Sequence, residues 1–227
     1  LLRRAFIPQK GSILIDADYS QIEYRLLAHF SGEERLIEAF HKGADVHEET
    51  GKILGVNRAL GKTLNFASIY GAQAWKISKT ANISESEAGN FLRKYWELLP
   101  KVQEFINFTR AKAKADKGIF TLCGWFIPLP DIINEDPKLR AKAERQAVNY
   151  LIQGSAAEII KLAMIDCVKN NFPPILQVHD ELLFEIDNKF PGKLVMPDIK
   201  KIMQDVVKLK VPLDVGVKSG YNWSEAH

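Results

Sequence analysis

Three groups of residues in the 227-residue sequence have types and spacings suited to chemistry. The first is acidic. Asp18 closes the apolar run Ser12-Ile13-Leu14-Ile15-Asp16-Ala17-Asp18, and Asp180 with Glu181 stands between two β-rich runs in Ile175-Leu176-Gln177-Val178-His179-Asp180-Glu181-Leu182-Leu183-Phe184-Glu185-Ile186. Those two runs read as the arms of a hairpin with Asp180 and Glu181 at its turn. If the first run pairs beside that hairpin, Asp18 and Asp180 meet at one edge of a sheet. Carboxylates gathered there repel one another and are costly to desolvate unless a hard cation neutralises them. Mg²⁺ typically takes one or two carboxylates together with substrate phosphates, and two such ions ~4 Å apart clamp the attacking and leaving oxygens of an in-line phosphoryl displacement. Acids are also common in tight turns, so Asp180 as a plain turn residue is the competing reading.

The second group is cationic. Arg58, Lys62, Phe66 and Tyr70 recur every four residues between Asn57 and Gly71. A four-residue step advances ~400°, which keeps neighbours in the series on one helical face. Two cations followed by two aromatics suit a nucleoside triphosphate, with the cations on phosphates and the aromatic faces toward sugar and base. The alternative is an ordinary amphipathic helix with Phe66 and Tyr70 in the core and Arg58 and Lys62 in water. Gly71 then reads as the glycine that ends the helix.

The third group is polar. Arg145, Asn149 and Gln153 also step by four, on a helix that leads into Gly154, and such a face either donates to a nucleic-acid strand or faces water. His47, in Asp45-Val46-His47-Glu48-Glu49, has no second histidine spaced to form a metal pair, and reads as a capping or surface residue. Lys101, Arg110, Lys112, Lys114 and Lys117 make the densest basic stretch, set against Glu104 and Asp116; a solvated charge face is its default.

The elements that must position these groups follow from periodicity. Ser12 to Asp18 is a core strand, and a helix follows through Gln21 to Phe30. From Gly32 to Lys142 the pattern is mostly helical: Ser84 with Glu87 forms a capping box, and Pro100 opens another helix. Gly118 to Pro128 reads as a small hairpin. A helix pair around Gly154, the acidic hairpin, an amphipathic helix near 199–208 and a strand near 213–217 close the chain. Strand, helices, then strands again is an α+β plan with a helical insertion between sheet-forming ends.

Composition bounds the rest. Hydrophobic residues at 46% and charged residues at 26% are an ordinary globular mix, which excludes disordered, collagenous and coiled-coil chains. No apolar run approaches the ~18 residues of a membrane span, and the first eight residues carry no signal-peptide pattern. Cys123 and Cys167 cannot build a disulfide framework, which favours a reducing, cytoplasmic setting. A net charge of +3 is too mild to announce nucleic acid on its own.

Asp18-Tyr19-Ser20-Gln21-Ile22-Glu23-Tyr24-Arg25 resembles motif A of the family A, DNA polymerase I-like, DNA polymerases. The stretch from Arg58 to Gly71 resembles their motif B, and Gln177-Val178-His179-Asp180-Glu181 their motif C. Arg145 to Gln153 is similar to the family helix ending in Gln-Gly, and the likeness runs through Leu129-Pro130-Asp131-Ile132 to Gly220-Tyr221-Asn222-Trp223. It implies a polymerase right-hand core lacking the thumb: an antiparallel palm sheet with a large helical fingers insertion, in a bacterial or phage-type context. Residues 1–32 and 144–227 would be palm, and 33–143 fingers. The implied activity is DNA-directed DNA polymerisation, adding dNTPs to a primer on a primed DNA template; a catalytically idle nucleic-acid-binding fragment is the alternative. Two Mg²⁺ ions would be held by Asp18, Asp180 and the Tyr19 carbonyl, with Glu181 an auxiliary acid. Arg58 and Lys62 would bind the triphosphate, Lys62 also protonating the pyrophosphate. Phe66 would pack on the sugar, Tyr70 near the templating base, His47 on a phosphate and Gln21 near the nucleotide, while Glu23 would exclude a 2′-hydroxyl. Arg145, Asn149, Gln153 and His179 would touch primer–template. A thumb and an upstream palm segment are expected to precede Leu1. Departures from the family pattern are Tyr24 for Leu, Ala67 for Gly, Trp125-Phe126 for two arginines and Tyr150-Leu151 for Ala-Pro.

Overall fold

The β-branched run that opens the sequence forms the strand from which the acidic residues project. A computed structural model describes residues 2–71, 73–187, 189 and 192–227, apart from the side chains of 68–70 and 192–194. In chain order, after a 3₁₀ turn at Leu2–Ala5, its elements are β1 (Ser12–Tyr19), α1 (Ile22–Ser31), α2 (Glu34–His41), α3 (Val46–Leu54), α4 (Arg58–Tyr70), α5 (Ala74–Ala81), α6 (Glu85–Leu98), α7 (Pro100–Asp116), β2 (Gly118–Phe120), β3 (Phe126–Pro128), a 3₁₀ turn at Pro130–Ile133, α8 (Pro137–Lys169), β4 (Pro174–Val178), β5 (Glu181–Asp187), α9 (Gly192–Asp205), β6 (Val215–Gly220) and α10 (Trp223–Ala226). The architecture is α+β with antiparallel sheets, and two units emerge from contact density: Leu1–Ile22 with Ala156–His227, and Glu23–Ser155.

In the first unit the sheet order is β4-β5-β1-β6, every neighbouring pair antiparallel. Strand alternation gives β1 two unlike faces. Ile15, Ala17 and Tyr19 share the apolar one with their register partners Phe184, Leu182 and Val215, all at most 1% exposed. Tyr19 anchors that face to α9, its hydroxyl donating to the Met203 carbonyl at 2.5 Å. The opposite face carries Leu14, Asp16 and Asp18, with Leu183 and Glu181 opposite them. There Leu14, Leu183, Trp223 and Ala226 form a buried cluster, with Leu176 and Val178 against it.

The second unit is helical with one small hairpin. Its helices α3 and α4 approach closely because both carry glycine where they cross. A Cβ on Gly61 would lie 2.3 Å from the His47 carbonyl oxygen, and one on Gly51 2.8 Å from that of Val56. Tyr24 ties α1 into this unit: its buried hydroxyl lies 2.8 Å from both Asn65 Oδ1 and the Tyr95 hydroxyl. The capping box at Ser84 and Glu87 is formed, as is the helix opened by Pro100.

Several sequence expectations shift. The two compact units divide after residues 22 and 155: Tyr24 packs with α4 and α6 residues, and Ser155 Oγ accepts from the Leu122 amide. One 33-residue helix replaces the pair expected around Gly154. A lone glycine inside a helix costs only ~1 kcal/mol, and here it gives Thr121 and Ile127 of the hairpin room to approach. Helix α9 begins at Gly192, ahead of Pro197, and the last strand runs to Gly220. Among the described residues no helix is long and apolar enough to cross a membrane.

Candidate active site

Pairing of β1 with β5 sets Asp18 directly opposite Glu181, and the Tyr19 amide donates to the Asp180 carbonyl at 3.2 Å. His179 and Asp180 alone join β4 to β5, and His179 takes φ +53°, the left-handed conformation that lets so short a turn close. Glu181 is therefore the first residue of β5 rather than part of the turn. Asp18, Asp180 and Glu181 come together where β1 and β5 pair, as the spacing suggested. The Asp18 carboxyl is pushed up to about 6, first by burial, then by the charges of Asp180 and Glu181, with Arg3 and Lys218 pulling the other way. A hard cation relieves that repulsion, so the donor set fits the expected Mg²⁺. Gln21 follows at φ +55°, its buried side-chain oxygen lacking a hydrogen-bond partner among the described residues.

The helical unit carries the cationic group. Arg58, Lys62, Phe66 and Ala67 line a cavity of about 620 Å³ with Lys76 and Ile77, a volume in the range of small-ligand sites. Lys62 Nζ lies 5.7 Å from the Phe66 ring centroid. Arg58 donates to Asp45 Oδ2 through Nε at 2.8 Å and Nη2 at 2.7 Å. Asp45 is also the N-cap of α3, accepting from the His47 and Glu48 amides. Burial opposes its ionisation, yet the Arg58 hydrogen bond and the Glu48 and His47 amides outweigh burial and hold its carboxyl below the ordinary value.

His47 is not the surface residue that its isolation in the sequence suggested. It is 3% exposed, with its ring centroid 5.7 Å from that of Phe66. Burial lowers its imidazole below the ordinary value; Asp45 opposes this, while Arg58 and Lys62 reinforce it. Its tautomer follows from its neighbours. Asn65 Oδ1 accepts from the Tyr24 and Thr50 hydroxyls, which turns Asn65 Nδ2 toward the Val46 carbonyl and, at 2.9 Å, His47 Nδ1. Nδ1 is then the acceptor and Nε2 carries the proton. Asp45 and Asn65, which hold Arg58 and His47 in place, are neighbours that sequence reading passed over; the Asp45-to-His47 spacing of an N-cap was the available signal for the first.

Glu23 stands half-buried in the first turn of α1. On α8, Arg145 and Gln153 are exposed and Asn149 is half-buried, its Oδ1 without a hydrogen-bond partner among the described residues. The side chain of Tyr70 lies outside the described residues. In the basic stretch of α7, Lys101 pairs with Glu34 at 2.7 Å, Lys112 with Asp116 at 3.2 Å and Lys114 with Glu144 at 2.6 Å, the expected solvated charge face.

Residues 1–225 match the sequence profile of DNA polymerase family A. The chain belongs to that family. It is 42% identical over 240 residues to DNA polymerase I of Caldicellulosiruptor bescii, an alignment covering 99% of this chain and 28% of the relative. It is 38% identical to the thermostable DNA polymerase I of Thermus aquaticus, with the same two coverages. A solved structure, the POL domain of Pol1 from M. smegmatis in complex with DNA primer-template and dNTP, superposes with a TM-score of 0.92 at 34% identity, over 99% of this chain and 42% of that one. The chain thus spans about a quarter of the length of the curated relatives it matches.

Proposed function

We propose that this chain is the nucleotidyl-transfer core of a DNA-templated DNA polymerase, adding dNTPs to the 3′ end of a primed DNA template. The observation that carries this reading is the gathering of Asp18, Asp180 and Glu181 on one sheet edge, with Asp18 pushed up to about 6, in a chain of family A. In this reading residues 1–32 and 144–227 serve as palm and 33–143 as fingers. Asp18, Asp180 and the Tyr19 carbonyl would hold two Mg²⁺ ions, which would neutralise the charge that develops on the nucleotide phosphates.

The chain's own residues do the positioning. Arg58 and Lys62 bind the triphosphate, and Lys62 passes its Nζ proton to the departing pyrophosphate. His47, kept neutral by burial, donates from Nε2 to a phosphate oxygen. Phe66 packs on the sugar, Tyr70 stands near the templating base and Gln21 near the nucleotide. Glu23 fills the volume a 2′-hydroxyl needs, so ribonucleotides clash. Arg145, Asn149, Gln153 and His179 hold primer–template, and Glu181 assists at the primer end. Orientation and charge neutralisation supply most of the catalysis in phosphoryl transfer.

Primer extension with Mg²⁺ and dNTPs tests the reading. Asp18→Asn and Asp180→Asn are expected to abolish extension while primed DNA still binds. Glu23→Ala is expected to raise incorporation of rNTPs relative to dNTPs. Binding of primed DNA with no extension by the parent protein would support the idle-fragment alternative, and undiminished extension by the Asp variants would remove the assigned metal ligands.

A further inference from the structure

A second cluster lies deeper on the acidic face of the sheet. Asp16, two residues before Asp18 on β1, is 3% exposed, and Glu181 is 4% exposed. His227 directs Nδ1 at both, 3.0 Å from Asp16 Oδ2 and 3.5 Å from Glu181 Oε2. One ligand atom from each of the three residues lies within 4.8 Å of the other two.

The two acids are not equally provided for. Glu181 receives the Trp223 indole N–H on Oε1, and Arg3 Nη2 lies 3.4 Å from its Oε2. Asp16 Oδ1 is buried with no hydrogen-bond partner among the described residues. An oxygen lone pair shut away from water without a donor is costly, and beside a second carboxylate it invites a cation. Spacing permits a metal, and the donor types say which kind. Metal–ligand distances of about 2.0–2.1 Å put adjacent ligand atoms ~2.9 Å apart in an octahedron and ~3.3 Å apart in a tetrahedron. The imidazole-to-carboxylate separations of 3.0 and 3.5 Å, a hydrogen bond and an ion pair in the metal-free chain, need only shift by a few tenths of an ångström to meet those edges. One imidazole nitrogen with two carboxylates suits a transition metal, whereas Mg²⁺ favours oxygen throughout.

We propose that Asp16, Glu181 and His227 bind one Zn²⁺-class divalent ion, separate from the Mg²⁺ expected at Asp18 and Asp180. The ion would clip the segment after α10 onto β1 and β5. This inference shares Glu181 with the polymerase reading but does not depend on it, because its evidence is a donor set and its readout is bound metal.

Equilibrium dialysis of the chain against Zn²⁺ in excess Mg²⁺, with elemental analysis of the retained metal, is the test. One equivalent of Zn²⁺ is expected to remain. Asp16→Asn and His227→Gln should each weaken retention by at least ~10-fold, since even outer-shell changes cost that much. The Asp18→Asn, Asp180→Asn double variant should keep the ion. Co²⁺ in place of Zn²⁺ should show visible absorption that is lost in His227→Gln. Because Asp16 is buried and its variant risks misfolding, His227→Gln, whose parent side chain is 44% exposed, carries the test alone if circular dichroism shows Asp16→Asn unfolded. Retention of no Zn²⁺ in excess Mg²⁺ would overturn the proposal in favour of a proton shared between Asp16 and Glu181. Undiminished retention by His227→Gln would overturn it equally.

Discussion

The acidic sheet edge and the cationic helix face handle charge in opposite ways. At the edge, Asp18, Asp180 and Glu181 are like charges brought together by the β1–β5 pairing and its turn, and burial first, then the charges of Asp180 and Glu181, raises the Asp18 carboxyl. On the helix face, Arg58 already has a counter-charge in Asp45, and Lys62 rests over an aromatic ring. The first arrangement costs folding stability that a bound cation would restore; the second is already paired within the chain. The contrast separates groups whose removal relieves the fold from groups whose removal leaves it indifferent.

The largest effect falls on the acidic half. Asp18→Asn or Asp180→Asn should reduce primer extension by on the order of 10³-fold or more, with the melting temperature at pH 7 unchanged or higher. A melting temperature that falls together with activity would break the contrast. Lys62→Ala should lower kcat/KM for dNTPs by roughly 10²-fold with no change in urea midpoint, since Lys62 is exposed. Gly61→Ala sharpens the paired half. Helix propensity alone predicts a gain of ~1 kcal/mol, but a Cβ 2.3 Å from the His47 carbonyl should turn this into a net loss of about 1–3 kcal/mol by urea denaturation. Asp45→Ala should cost ~1 kcal/mol through the lost N-cap, whereas Asp45→Asn keeps the cap, stays within ~1 kcal/mol of the parent and raises the dNTP KM a few-fold by releasing Arg58.

The smallest effect is a pH slope. A carboxyl whose folded value is raised adds stability below its unfolded value near 3.8 and loses that stability as pH rises through about 6. Between pH 4 and 7 the parent should therefore lose stability, and Asp18→Asn should flatten the loss by ~1 kcal/mol after allowing for solvent screening. Mg²⁺ should flatten it similarly, by favouring the ionised form.

Much of this was legible in the sequence because it is local. The alternation around Asp18, the hairpin arms flanking Asp180 and the Ser84–Glu87 box depend on near neighbours, and each formed. The four-residue stripe from Arg58 brought two cations and Phe66 to one cavity. What escaped was set by distant packing. His47 is buried because α3 meets α4 across two glycines, and no spacing within α3 reveals that. Gly154 suggested a break in α8, and the amphipathic pattern near 199–208 missed the first turns of α9, yet Gly154 lies inside its helix and α9 begins at Gly192. Asp16 looked like one more strand residue until register and chain return set Glu181 and His227 beside it.

The position of β1 in the sheet has a consequence for synthesis. Its two ladders join it to strands that begin about 160 and 200 residues later. A ribosome adding 5–20 residues per second leaves that apolar strand without a partner for roughly 10–40 s, while the helical insertion is already complete and free to fold. Long-range pairing of this kind is intrinsically slow, so the sheet closes last and closes on its own first strand. During that interval Ile13, Leu14 and Ile15 are an exposed β-forming segment, and a chaperone that shields such segments during translation would act on this stretch before any other part of the sheet.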